Sequence, residues 1–147
     1  MFKHILVPTD GSKLSLKALD MAAQMAASTD AKVSVLHVTP TYPTMGGGDG
    51  YMLTPITPKD WDASLVKLTA HIRDQVEKRA KAKSVAILFL SVMFDQPYVG
   101  IIDTAKRNKC DVIVMASHGR SGFSALLLGS ETTKVLTHCK LPVLVCR

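Results

Sequence analysis

The feature that most constrains the fold of this chain is a regular alternation of short apolar segments with longer segments of helical periodicity. Residues 3–8 form the first apolar segment, and in residues 15–27 the apolar side chains recur at intervals of three or four. The first pattern is typical of a short strand and the second of an amphipathic helix. Because the alternation continues to residue 146, it predicts strands and helices in strict succession.

Turn and cap residues separate the predicted elements. Thr57 is predicted to cap a helix whose first residue is Pro58. The strand at 85–93 is apolar on both faces, which is typical of a buried parallel strand. In the helix at 97–109 we expect Val99, Ile102 and Ala105 to face inward. The predicted strands are 3–8, 32–38, 85–93, 112–115 and 142–146, and the predicted helices are 15–27, 58–81, 97–109 and 130–138.

Strands joined by helices of this length predict an α/β fold, an open parallel sheet of five strands with helices on both faces. Ligands of such sheets bind beyond the carboxyl ends of the strands, where the strand order reverses. This rule directs attention to the loops that follow the first, second and fourth strands.

Composition narrows the class of protein. The 147 residues predict a single domain covering 1–147, with enough chain for an ordinary hydrophobic core. The longest nearly apolar run, at 85–94, is half of the roughly 20 residues that a membrane-spanning helix needs. We expect a cytoplasmic protein, because no signal-peptide core is evident and the three cysteines form no CxxC pair.

The net charge of +6 identifies no partner. The basic residues are scattered and rarely flanked by aromatic residues, so we expect neither nucleic acid nor a membrane surface as a partner. The cysteines and histidines show no spacing typical of metal ligands. We therefore expect no metal site built from protein side chains.

The loop after the first strand contains Asp10, within the sequence Pro8-Thr9-Asp10-Gly11-Ser12. An ionised aspartate could accept hydrogen bonds from a ribose hydroxyl or an adenine amine. It could equally cap the helix that follows. The residues alone leave both roles open.

The loop after the fourth strand is rich in small residues and ends at Gly129-Ser130, where the last helix is predicted to begin. Small residues allow the backbone to approach an anion closely, and a helix N-terminus offers free N–H groups and the positive end of its dipole. Ser130, Thr132 and Thr133 could add hydroxyl donors. The alternative is a glycine-capped loop without a ligand, but its place at this edge of the sheet favours phosphate binding.

Residues 40–58 are rich in proline, threonine and glycine and predict a long loop. The glycines at 46–48 and 50 are not followed by the Lys-Ser/Thr of a P-loop. This loop either gates the predicted site or serves as a passive linker.

The sequence as a whole resembles the universal stress protein family. The resemblance rests on residues 3–12 and on 111–147, notably Ser117-His118-Gly119-Arg120-Ser121-Gly122 and Leu127-Leu128-Gly129-Ser130. Nucleotide-binding members of the family carry G-x-x-G, nine residues, then G-S/T. Here Ala116 occupies the first glycine position, whereas Gly119, Gly129 and Ser130 match the motif. Alanine should be tolerated there if its φ is negative.

The resemblance implies a Rossmann-like, three-layer α/β/α fold of the adenine nucleotide alpha hydrolase type, and ATP or AMP as the ligand. Glu131 either weakens triphosphate binding by repulsion or favours a divalent ion, Mg²⁺ or Mn²⁺, on the phosphates. The nucleotide-binding residues that the resemblance implies are Pro8, Thr9, Asp10, Val38, Met115, Ala116, Gly119, Gly129, Ser130, Glu131 and Thr132.

The resemblance further implies a stress-response sensor or regulator, and a homodimer in which the last strands pair antiparallel. That apolar strand could instead be covered by a local helix. Two other functions stay open: a dimeric interaction module independent of nucleotide, and a weak ATPase or autophosphorylating protein using His118 and Arg120. Neither residue has an evident partner to orient it for phosphoryl transfer, so the sequence favours binding over turnover.

Overall fold

The computed structural model of the protein describes residues 2–42, 56–119 and 128–147. Strands and helices alternate along them as the periodicity predicts. The elements are β1 (His4–Pro8), α1 (Lys13–Thr29), β2 (Lys32–Thr39), α2 (Pro58–Ala82), β3 (Ile87–Met93), α3 (Pro97–Arg107), β4 (Val112–Ala116), α4 (Ser130–His138) and β5 (Val143–Cys146).

The five strands form one parallel sheet in the order β3-β2-β1-β4-β5. The chain winds outward from β1 through β2 to β3 and then crosses back to β4 on the other side of β1. The strand order therefore reverses between β1 and β4, and their carboxyl ends lie side by side. The predicted α/β fold class is confirmed.

Alternate side chains of the sheet enter two separate apolar layers. Ile5 and Val7 of β1 pack with α1 and α2, whereas Leu6 packs on the opposite face beside Ile101 of α3 and Val135 of α4. All five of these side chains are at least 96% buried. This alternation produces the three layers.

The prediction of a buried third strand is wrong. β3 begins at Ile87 and is an edge strand, with Leu88 and Met93 each 54% exposed. An edge strand can be apolar on both sides where helices pack against parts of both faces, so an apolar run alone does not distinguish the two positions. Ile87 and Phe89 contact the α1 and α2 layer, and Leu90 contacts the other.

The predicted inward face of α3 is correct for Ala105 and wrong for Val99, which is 38% exposed. Ile102 is only half-buried. The buried stripe instead consists of Gly100, Ile101, Thr104 and Ala105. Position 100 of this stripe needs a glycine, because a Cβ there would come within 2.9 Å of the Phe94 ring.

Several boundaries that position the loops agree with the sequence. Thr57 caps α2, with its side chain accepting a hydrogen bond from the Asp60 N–H at 3.2 Å. β5 lies at the sheet edge, and Leu144 on it is 40% exposed. No helix among the described residues is long and apolar enough to cross a membrane. Most of the predicted loop at 40–58 lies outside the described residues, as does 120–127.

Candidate functional site

A cavity of about 440 Å³ opens at the carboxyl ends of β1 and β4, where the strand order reverses. Its size is within the usual range of small-molecule sites. All eleven residues that the family resemblance assigns to the nucleotide line it: Pro8, Thr9, Asp10, Val38, Met115, Ala116, Gly119, Gly129, Ser130, Glu131 and Thr132.

Five further residues line the same cavity: Ser15, Leu36, Pro97, Ile101 and His118. Pro97 and Ile101 belong to α3, an element that the sequence reasoning did not connect with the site. The available signal was topological, because a helix that follows a parallel strand begins at the ligand-binding edge of the sheet. α3 thus supplies an apolar wall opposite the turn after β1.

The turn after β1 is held by a hydrogen-bond network. Asp10 Oδ1 accepts from the Ser12 N–H at 3.0 Å, and Ser12 Oγ accepts from the Ser15 N–H at 3.2 Å. The cap of α1 is therefore Ser12, and the capping role considered for Asp10 is wrong. The Asp10 carboxylate instead orders the turn and lies on the wall of the cavity.

The wall beneath this turn is also fixed by buried polar contacts. Thr9 Oγ1 lies 2.8 Å from Ser15 Oγ, and the ring nitrogen His37 Nδ1 lies 3.1 Å from the Thr9 carbonyl oxygen. Thr9, Ser15 and His37 are each at least 93% buried. The contacts attach the turn to both α1 and β2.

Two glycines of the motif are required by close approach. A Cβ on Gly119 would come within 2.8 Å of Asp10 Oδ2, and one on Gly129 within 3.0 Å of His118 Cα. Neither glycine has a positive φ, and nor does Ala116, which lies in β4. The negative φ that an alanine at position 116 needs is therefore present.

The N-terminus of α4 closes the cavity on the β4 side. Gly129 donates its N–H to the Ser117 carbonyl at 2.7 Å, and Thr132 Oγ1 donates to the Ala116 carbonyl at 3.0 Å. These bonds fasten α4 to the end of β4. Because the first N–H groups of a helix have no carbonyl partner within it, those of Ser130, Glu131 and Thr132 are the donors that this end can offer an anion.

The Glu131 carboxylate faces α3. Its Oε2 accepts from the Tyr98 N–H at 2.8 Å, and its Oε1 pairs with Lys134 Nζ at 2.8 Å. α3 has no side-chain cap from its own Gln96, so Glu131 serves as that cap from a neighbouring helix. Within the described residues no group of three His, Cys, Asp or Glu side chains could hold a metal ion.

The cysteines contribute no reactive group to the cavity. Cys110 is 5% exposed, and burial, followed by the nearby Asp111 charge, raises its pKa to about 11. Burial also raises the pKa of the Cys146 thiol. Both thiols therefore stay protonated at neutral pH and pack as small apolar side chains.

Comparison with known proteins places this geometry in a family. The profile of the universal stress protein family matches residues 1–147. The chain belongs to the universal stress protein family. The universal stress protein YxiE of Bacillus subtilis is 32% identical over the full length of both chains.

Two solved members have the same fold. The universal stress protein UspA from Lactobacillus plantarum is 25% identical, with a TM-score of 0.79 over 99% of this chain and 97% of its own. A universal stress protein solved in complex with cAMP is 26% identical, with a TM-score of 0.72 over 99% of this chain and 97% of its own.

Proposed function

We propose that this universal stress protein binds an adenine nucleotide, ATP or AMP, in the cavity between β1 and β4. The observation that carries the proposal is the place of that cavity, at the strand reversal, with the Asp10 carboxylate on one wall and the α4 N-terminus on the other. Carboxylates suit ribose hydroxyls, and helix N-termini suit phosphates, so the two polar groups match the two ends of a nucleotide.

The apolar part of the cavity matches the third part of a nucleotide. Leu36, Val38 and Ile101 provide a wall on which an adenine ring can pack, with Pro97 at its rim. Asp10 then accepts hydrogen bonds from the ribose, and the N–H groups at the start of α4 hold the phosphate nearest to it. A related universal stress protein has been solved with cAMP, which supports an adenine ligand here.

The biological role follows from the binding function as part of the same proposal. The protein acts in the cytoplasm as a single-domain sensor or regulator of stress, and nucleotide occupancy changes its affinity for a partner. A divalent ion, Mg²⁺ or Mn²⁺, would be held chiefly by the phosphates, because such ions need few protein ligands beside a nucleotide. Glu131 does not supply one while it caps α3.

Native mass spectrometry of the purified protein, followed by titration with ATP, ADP and AMP, tests the proposal. We expect a co-purified adenine nucleotide or saturable binding of at least one of the three. Asp10→Ala should weaken that binding, whereas Asp62→Ala, which removes an exposed carboxylate on α2, should not. Absence of binding at millimolar nucleotide would overturn the proposal.

A second function, a dimeric interaction module independent of nucleotide, is favoured by the exposed apolar edge at β5. One measurement, partner binding by variants of the cavity, distinguishes the two functions. If Asp10→Ala and Gly119→Val leave partner binding unchanged, the interaction does not depend on the cavity. If they abolish it, nucleotide and partner are coupled.

A further inference from the structure

A second cavity, of about 240 Å³, lies beside the first and is lined by Lys13, Leu14, Lys17, Ser117, His118 and Arg147. His118 lines both cavities. Three permanent cations and one histidine thus surround a space that borders the proposed nucleotide site on the β5 side. We call this space the cationic cavity.

Among the described residues, no carboxylate side chain lines the cationic cavity. Within the described residues, none of the ion pairs involves Lys13, Lys17 or Arg147. The ion pairs elsewhere, such as Arg79 with Asp20, show that this chain does pair its cations where carboxylates are near. Carboxylate side chains of the described residues therefore do not pair with the cations of this cavity.

The start of α1 adds to the positive potential. Helix N-termini usually carry acidic side chains that offset the positive end of the dipole, yet α1 has no acidic residue in its first turn and begins with Lys13. Lys17 lies one turn further on the same face. Each lysine raises the electrostatic cost of the other unless an anion lies between them.

We infer that the cationic cavity binds a phosphate group, in addition to the phosphate held by the start of α4. This inference rests on the proposed nucleotide function. Two sources have the same chemistry: the terminal phosphates of ATP bound in the neighbouring cavity, or a free phosphate ion. The shared His118 wall favours the terminal phosphates, because the two cavities meet at that residue.

The test compares ATP and AMP on the wild-type protein and on the double variant Lys13→Gln/Lys17→Gln. Removal of a lysine from a helix N-terminus does not threaten folding. In the wild type we expect ATP to bind more tightly than AMP, and the double variant should lower the ratio of the two affinities by about five- to tenfold. Raising NaCl from about 0.05 to about 0.3 M should lower the same ratio, because exposed charges are screened.

The matched control is Lys32→Gln/Lys81→Gln. It removes the same charge from exposed residues at the start of β2 and the end of α2, which lie at the end of the sheet where the strands begin, away from the carboxyl ends that carry the two cavities. We expect it to leave the affinity ratio unchanged. An equal fall of the ratio in both double variants would show a general effect of net charge and would overturn the inference.

A third arm separates the two sources of phosphate. Inorganic phosphate is titrated into protein saturated with AMP, by calorimetry, with the wild type and the Lys13→Gln/Lys17→Gln variant. Binding to the wild type alone, without an ATP preference, assigns the cavity to a free ion. Absence of both an ATP preference and phosphate binding, while AMP binds, overturns this inference alone, whereas failure of AMP and ATP to bind at all overturns the proposed function.

Discussion

At position 119 the packing leaves no space for a side chain, because a Cβ would lie 2.8 Å from Asp10 Oδ2. Gly119→Ala should therefore displace the Asp10 carboxylate and weaken nucleotide binding about tenfold, equivalent to ~1.4 kcal/mol. Gly119 is itself exposed, so the free energy of unfolding should change by no more than about 0.5 kcal/mol. Calorimetric titration with AMP and thermal unfolding measure the two effects.

A double-mutant cycle tests whether the Asp10 side chain is the cause. In an Asp10→Ala background the added methyl group no longer meets the carboxylate, so Gly119→Ala should cost little further affinity. Additive losses would mean that the Cβ acts directly on the ligand and not through Asp10.

Most residues that line the cavity were predictable, because they lie in the loops that the topology selects or in the family's motif of fixed spacing. The reason for each glycine was not. A glycine in a loop suggests a positive φ. Gly119 and Gly129 are instead required because a Cβ would come too close to Asp10 Oδ2 and His118 Cα, which belong to residues well separated from them in sequence. Likewise, the sequence does not show that alanine is tolerated at position 116, because that depends on the negative φ of its strand conformation.

Among the secondary-structure elements, α3 and α4 are joined through one side chain. Glu131 accepts from the Tyr98 N–H, and Lys134 pairs with Glu131 while lying 5.5 Å from the Tyr98 ring centroid. Glu131→Ala should lower the free energy of unfolding by about 1 kcal/mol, the usual effect of losing a helix cap. Glu131→Gln keeps an acceptor for the N–H and should cost less, as measured by urea unfolding. Equal losses for both variants would assign the effect to the ion pair instead.

The starts of β1 and β4 are joined by Asp111. Burial opposes ionisation of this carboxyl, but hydrogen bonds from the Lys3 and His4 N–H groups, at 2.7 and 3.1 Å, outweigh it and hold its pKa below the ordinary value. Because the pKa is lower in the folded state, the stabilisation is complete above pH ~4 and is lost as the pH falls through the folded-state pKa.

Asp111→Asn tests this contact. At pH 7 the variant should have a lower free energy of unfolding than the wild type, by about 0.5–1.5 kcal/mol. The difference should shrink as the pH falls below about 4 and through the lowered pKa of Asp111, where this carboxyl becomes protonated in the wild type. Urea unfolding at each pH measures it, with the exposed Asp62→Asn as the charge control. A difference that does not vary with pH would assign the effect to packing.

Element order and type were predictable because each helix carries one apolar stripe and each strand a short apolar run. The position of each strand within the sheet was less predictable. The apolar run at 85–93 predicted a buried strand, yet β3 is an edge strand, because strand order depends on contacts between segments far apart in sequence. The face of α3 was missed for a related reason, since Gly100 and Thr104 are buried there although neither is a hydrophobic side chain.

At the scale of the whole molecule, the open parallel sheet has two edges, β3 and β5, that no other strand of the described residues pairs with. The Ile113 and Ser117 N–H groups donate to the Pro142 and Cys146 carbonyls. On the β5 side, Pro142, Leu144 and Cys146 therefore direct their backbone groups toward β4. The backbone groups of Val143 and Val145 therefore face the open edge. They are the groups available to pair with a second copy of the chain, as proposed for the homodimer.

Val145→Pro tests the homodimer without disturbing the β4 ladder, since proline removes only the outward N–H and is tolerated on an edge strand. We expect the wild type to have twice the chain mass of 15.9 kDa by light scattering, and the variant to have that mass once. The matched control is Ser91→Pro on β3, where the Phe94 N–H bond to the Thr39 carbonyl likewise directs the N–H of residue 91 outward. A variant at 145 that stays dimeric would move the interface away from β5, and dissociation by Ser91→Pro alone would place it at β3.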